Sequence, residues 1–422
     1  MKEDFLHFLW KYKRFSFTNL QTTDGEELHI YTVGTTNHNA GPDFFNAKIE
    51  VANQVWIGNV EVHIKSSDWL LHQHHNDLSY ENVILHVVWQ HDENIFHADG
   101  TKIPTLELKN YVSNETLNAY KKLYHQPKKF IPCENQIAQV DSFIKDHWLD
   151  RLFIDRLETK SHFIHQELKN CNNDWEAVTF KLLLKNFGLK VNAEAFASIT
   201  NYLPFEVFRK YQHQVFQLEA LLFGVSGLLN DDVHNEYFIR LKNEYNYLKH
   251  KHEIHAETVV PPKFLRLRPF NFPTIRLSQF AQVYKRHAHL FSKLMSLKSL
   301  QDGYDLFAVE TTEFWQTHYT FKKESDFKIK TLSHAFTDLL LINTILPLQF
   351  CYAKYNGAET VDFTSLATDI SAEKNRIITS FSKIGIKSTS AKNSQALLQL
   401  YHQYCEKKNC LKCTIGNKLL KQ

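Results

Sequence analysis

Glycine and proline are scarce, 12 and 10 of 422 residues. That excludes an all-β repeat protein, which needs a turn residue every few positions, and favours long helices. Net charge is also small, +3, so no overall field forces contact with nucleic acid or an anionic surface. The first residues, MKEDFLHFLWKYKRF, lack an uninterrupted apolar core and a small-residue cleavage site, so no secretion signal is expected. The most apolar run, DLLLINTILPLQFCY, is short and contains Asn343 and Pro347. It reads as a buried helix rather than a membrane span. Six cysteines without a secretion signal fit a reducing, cytoplasmic setting, with thiols or metal ligands in place of disulfides.

What is present is apolar and aromatic material, 43% and 14% of the chain, enough for large cores. There are also 24 histidines, many of them between residues 63 and 97.

The hydrophobic period changes along the chain. EDFLHFLWKY has helical spacing, whereas GEELHIYTVG, FFNAKIEVA, QVWIGNVEVHIK and NVILHVVWQ read as strands. A turn around Asn53 joins the second and third of these, and HADGTKIPTLEL reads as a turn plus one more strand. From about residue 140 the pattern is helical, with about ten helices expected. DWEAVTFKLLLKNFG carries a capping Asp174 and a terminal Gly188. The prolines of KFLRLRPFNFPTIRLSQFA predict an extended surface crossing. The expectation is an α+β protein, with a mixed-sheet α/β domain over 1–135 and a mainly helical domain over 136–422.

The chemistry concentrates in GPDFFNAKIEVANQVWIGNVEVHIKSSDW. Strand alternation puts Glu61, His63 and Lys65 on one face, expected to line a groove, and Val60, Val62 and Ile64 on the other, toward the core. If the strand that follows Asp43 pairs next door, Asp43 and Glu61 can share a hard divalent cation, Mg2+ or Mn2+. His63 or Lys65 would then orient water or bind phosphate. The alternative is the solvated face of a hairpin.

Pro42-Asp43 followed by Glu61-Val62-His63 resembles the PD-(D/E)XK nuclease signature, and the order of a helix and then strands is similar too. The resemblance implies a restriction-endonuclease-like domain with a metal-dependent nuclease site at Asp43, Glu61, His63 and Lys65. This sequence departs from the pattern in one respect: His63 stands where that superfamily usually has lysine, and Lys65 follows two residues later. Across nearly its full length, through AGPDFFNAKI, GNVEVHIKSSDWLLHQHHND, YENVILHVVW, LEALLFGVSGLL and LRLRPFNFPTIRLSQFA, the chain also resembles a bacterial domain-of-unknown-function family found mainly in Bacteroidota.

Three further groups stand out. His72, His74, His75 and Asp77 offer a nitrogen-rich set suited to zinc, manganese or iron. A helix would pair His72 with His75, and a strand would pair His72 with His74. His86, among Val and Leu, reads as a core histidine. Cys405, Cys410 and Cys413, with Cys133 as a distant fourth ligand, suit zinc or an iron–sulfur cluster. Some nucleases of the superfamily above pin their C-terminus through such a distant cysteine, although there it precedes the nuclease motifs. Arg266, Arg268 and Arg276, interleaved with Phe270 and Phe272, suit phosphate clamping and base stacking, or else an interdomain packing role.

The leading expectation is a metal-dependent nuclease, or a nuclease-derived protein that binds DNA or RNA. The others are a non-catalytic scaffold on the same fold and a zinc-dependent hydrolase built on the histidines.

Overall fold

A computed structural model describes residues 1–37, 40–124, 129–256, 258–357 and 363–420. Its main sheet contains β1 (Leu28–Thr32), β2 (Thr35–Thr36), β3 (Phe44–Val51), β4 (Gln54–Lys65), β5 (Val83–Gln90) and β6 (Thr105–Glu107). The spatial order is β1-β3-β4-β5-β6, with β2 beside β3. β3 is antiparallel to both β1 and β4, whereas β5 runs parallel to β4 and β6 parallel to β5. A parallel neighbour requires a crossover. Residues 66–82 supply it, carrying the short helix α2 (Asp68–Leu71). The first helix of the chain, Glu3–Lys11, packs against β4; we call it α1.

The β3–β4 hairpin forms as its sequence predicts. Ala52 and Asn53 both take positive φ, 50° and 67°, the backbone of a two-residue turn whose twist matches the strands. The register then shifts between Phe44 and Ala47, where Asn46 has φ 57°. A bulge of this kind bends the strand locally and re-aims the side chains next to it.

The burial of β4 differs from expectation. Val60 and Val62 are fully buried, as alternation requires, yet Glu61 and His63 are only 5% and 1% exposed. The face expected to line an open groove is covered. α1 and the 66–82 crossover bring polar side chains over it, so this stretch of β4 is buried on both sides.

The chain divides into two units. One comprises Met1–Trp148, Lys383–Ile386 and Leu400–Gln422, and the other Leu149–Ser382 and Lys387–Gln399. The cysteine-bearing tail groups with the mixed sheet in this division.

The second unit is mainly helical and includes a small hairpin, His318–Thr320 with Lys323–Glu324. Asp174 caps the Trp175–Phe187 helix by accepting from the amides of Glu176 (2.9 Å) and Ala177 (3.1 Å). The extended crossing expected over KFLRLRPFNFPTIRLSQFA stops at Phe272. Pro273 opens the helix Pro273–Arg286, where its missing N–H costs nothing. The apolar run around Asn343 is part of a helical stretch, His334–Tyr355, that is longer than expected. At 22 residues it is long and apolar enough by length and composition to cross a membrane, and 61% of its most apolar window is buried within the protein. Its middle turn, Leu341–Ile345, is a π-helix.

A candidate carboxylate–histidine metal site

The bulge in β3 and the pairing of Phe44 with Val60 set Asp43 beside Glu61. The two acids are locked reciprocally. The Asp43 amide donates to Glu61 Oε2 (3.1 Å), and the Val62 amide donates to Asp43 Oδ2 (3.0 Å). From α1, His7 Nε2 reaches to 3.1 Å from Asp43 Oδ2. Glu3, one helical turn earlier and half-buried, faces the same charges. Burial raises its pKa, and His7, Asp43 and His72 all act on it.

Imidazoles close the other side. His63 Nε2 lies 3.5 Å from Glu61 Oε1 and 3.1 Å from His72 Nδ1, while its Nδ1 lies 2.8 Å from His86 Nε2. His74 Nε2 approaches Glu61 Oε1 to 3.4 Å. One ligand nitrogen from each of His63, His72 and His74 falls within 4.8 Å of the other two. Between His72 and His74, Gln73 takes a left-handed conformation, φ 62°. That is an uncommon state for a residue with a β-carbon, and here it turns both neighbouring rings onto one site. His74 is held by stacking on Tyr80 at 3.9 Å and by an edge contact with Trp69 at 5.3 Å. His72 is exposed and leaves the cluster open to solvent on its side.

The electrostatics follow from burial. Glu61 is pushed up to about 9, first by desolvation and then by the neighbouring charge of Asp43. His63 is pushed down to about 2 by burial and by the facing His86, His74 and His72. Burial takes His86 down to about 3. For His7 burial pulls downward, but the hydrogen bond and charge of Asp43 outweigh it, and its pKa rises overall. At neutral pH the approach of His63 to Glu61 is therefore a contact between uncharged groups, not an ion pair.

Without a metal, burial favours a protonated Glu61 beside neutral imidazoles. A divalent cation reverses that preference by favouring the ionised carboxylate and the neutral ring together. The buried Nε2 of His74 has no hydrogen-bond partner. Beside the Glu61 carboxyl, 3.4 Å away, that nitrogen is placed to ligate. A set mixing carboxylate oxygen with imidazole nitrogen suits manganese, zinc or iron better than magnesium, which prefers oxygen alone.

Asp43, Glu61, His63, His72 and His74 thus come together. Lys65 is directed elsewhere. Its Nζ lies 3.7 Å from Asp92, the residue that also fastens Ser66 and Ser67 at the end of β4. His75 pairs with its neighbour Asn76 (3.1 Å), and Asp77 accepts from the Ser79 amide (2.9 Å) as a helix cap. Arg276 is not available to phosphate. It is 6% exposed, donates to Gln279 Oε1 (2.8 Å) and Asn271 Oδ1 (2.6 Å), and stacks 3.6 Å over Phe336. Arg266 and Arg268 are exposed, on a stretch of the helical unit. Cys133, Cys405, Cys410 and Cys413 line one cavity.

Sequence reasoning missed two participants, His7 and Glu3, while His86, read as a core histidine, is buried and hydrogen-bonded to His63. The only sequence signal for the first two is a pair of polar residues one turn apart on a helix whose remaining face is apolar.

Fold and site together define an α+β protein whose N-terminal mixed sheet buries a carboxylate–histidine cluster, followed by a mainly helical region. The chain belongs to the family described as Protein of unknown function (DUF2851), whose model matches residues 3–376, a span that includes the whole cluster. Neither the curated proteins nor the solved structures gave a significant match.

Proposed function

We propose that the first unit is a divalent-metal-dependent phosphodiester hydrolase acting on nucleic acid, with Asp43 and Glu61 as the metal-binding acids. The reciprocal lock between these residues carries the reading, because it holds two acids 18 positions apart at the start of one strand and in the middle of the next. The order of elements supports it as well: a helix, an antiparallel set, then a crossover to a parallel strand. This order is similar to that of PD-(D/E)XK nucleases.

A bound divalent ion supplies a water of lowered pKa and shields a scissile phosphate. In this chain Asp43 and Glu61 hold the ion and His74 completes its donors. His63, fixed by His86 on its other nitrogen, presents a neutral ring rather than the positive charge a lysine would bring. His72, at the exposed side, is the group placed to meet substrate or water. The imidazoles make Mn2+ the preferred ion over Mg2+.

Calorimetric titration with Mn2+ tests the site. Wild type should bind about one ion, and Asp43→Asn, which keeps the shape and removes the charge, should not. Equal binding by the two proteins removes the site. The closeness of His63, His72 and His74 favours a second reading, a zinc hydrolase independent of Asp43. Zinc binding that survives Asp43→Asn but is lost in His74→Ala selects it.

A further inference from the structure

Cys133 lies in a loop after the sheet, and Cys405, Cys410 and Cys413 lie in the C-terminal residues. All four belong to the first unit and line a single cavity, whose other walls include Ile137, Leu400, Tyr404 and Ile415. None is in a disulfide. Cys133, Cys410 and Cys413 are buried and Cys405 is partly so. We propose that these four cysteines form a closed four-thiolate metal site that ties the C-terminal tail to the body of the first unit and takes a zinc ion or an iron–sulfur cluster.

Three observations carry this. Four of the chain's six cysteines converge on one cavity from two stretches more than 270 positions apart in sequence, with their sulfurs spread more widely than the 4.8 Å that gathers the histidine group, a spacing that suits a cluster better than a single ion. Cys133, Cys405 and Cys410 each lie close enough to other cysteines of the set to feel their charge. Burial pushes Cys133 up to about 12, with Cys413 and Cys410 next as causes, and Cys405 rises for burial and then for Cys133, Cys413 and Cys410. A soft cation at the centre removes that mutual penalty, because the thiolate is the ligand form. At Cys413 burial raises the pKa, and the amides of Gly416 and Ile415 oppose it in part. Finally, the chain must pass tightly here. A β-carbon at Gly416 would stand 2.2 Å from the Cys410 carbonyl oxygen, so only glycine lets the segment after Cys413 fold back over Cys410.

Four protein ligands leave no open position, so the metal is structural rather than catalytic. The site is separate from the carboxylate–histidine cluster, and the two can be told apart.

The test is elemental analysis, with acid-labile sulfide, of full-length protein purified under anaerobic conditions, alongside Asp43→Asn, Cys133→Ser, Cys410→Ser and Cys351→Ser. About one zinc per chain, or iron with matching sulfide and visible absorbance, supports the site, and the element found decides which of the two it holds. That content should persist in Asp43→Asn and Cys351→Ser and fall to background in Cys133→Ser and Cys410→Ser. Should the serine variants fail to fold, chelation of the wild type serves in their place. It should release the metal, expose four more reactive thiols and open the tail to protease. Wild type without metal, or metal retained in both serine variants, overturns the proposal, as does chelation that leaves thiol reactivity unchanged.

Discussion

Asp43 Oδ2 accepts the amide of Val62 while the Asp43 amide donates to Glu61 Oε2, at 3.0 and 3.1 Å. Each acid therefore holds the other through the backbone, and the carboxylate pair is positioned by main chain rather than by flexible side chains. Such positioning is what a metal site requires of its ligands.

The strand register makes the first prediction. Val62 is fully buried, and an aspartate there would be an unpaired buried charge. Val62→Asp should destabilise the first unit by about 3–5 kcal/mol or prevent folding. Glu61 is held largely uncharged without metal, so Glu61→Gln should leave the melting temperature nearly unchanged while abolishing Mn2+ binding. Thermal melts with and without Mn2+ check both, and a reversed order would mean a different register.

His86 positions His63 through the 2.8 Å contact between their rings. His86→Leu removes that partner and frees the His63 ring to turn. His63 packs against the metal-binding Glu61, so metal affinity should fall about 10–100-fold, the usual cost of disturbing a partner behind a ligand. His86→Gln, which can still hydrogen-bond to His63, should recover part of it. Calorimetry on the two variants separates a positioning role from simple loss of packing, which would not distinguish them by affinity at equal stability.

Arg276 is a packing residue of the second unit, with two side-chain hydrogen bonds and a ring beneath it. Arg276→Ala strands those partners and should cost about 2 kcal/mol or more. The double variant Arg266→Ala, Arg268→Ala removes exposed side chains and should leave the melting temperature unchanged. Melting curves of the two variants provide the comparison.

Glu219 gives the pH dependence. It is fully buried, and hydroxyls of Tyr237 and Thr312 (3.0 Å) donate to it. Burial raises its pKa above the ordinary 4.5, outweighing those bonds. Between 4.5 and the raised value the folded chain keeps a proton that the unfolded chain has lost. Stability from this group is thus fully present below about pH 4.5 and declines as pH rises through the folded pKa. Glu219→Gln has no proton to lose, so the melting temperature of this variant minus that of wild type should increase from pH 4.5 to pH 8. A difference that does not change with pH contradicts the raised pKa.

The hairpin was legible because strand alternation and the turn at Ala52-Asn53 both act locally. The Asp174 cap and the Gly188 stop of the Trp175–Phe187 helix were legible for the same reason. Burial of Glu61 and His63 was not, since it depends on α1 and the 66–82 crossover folding over a strand face that looks solvated in isolation. The choice of His74 over His75 rests on one backbone angle at Gln73, which composition does not reveal. Lys65 and Arg276 carry the right charge for phosphate, but their nearest partners, Asp92 in one case and Gln279, Asn271 and Phe336 in the other, are visible only in three dimensions.

Cleavage of labelled DNA and RNA in the presence of Mn2+, by wild type and by Asp43→Asn, tests the central claim most directly. The account predicts cleavage by wild type that requires the metal, is weaker with Mg2+ and disappears in Asp43→Asn. Equal cleavage by both proteins, or none by a wild-type protein shown to bind Mn2+, contradicts it.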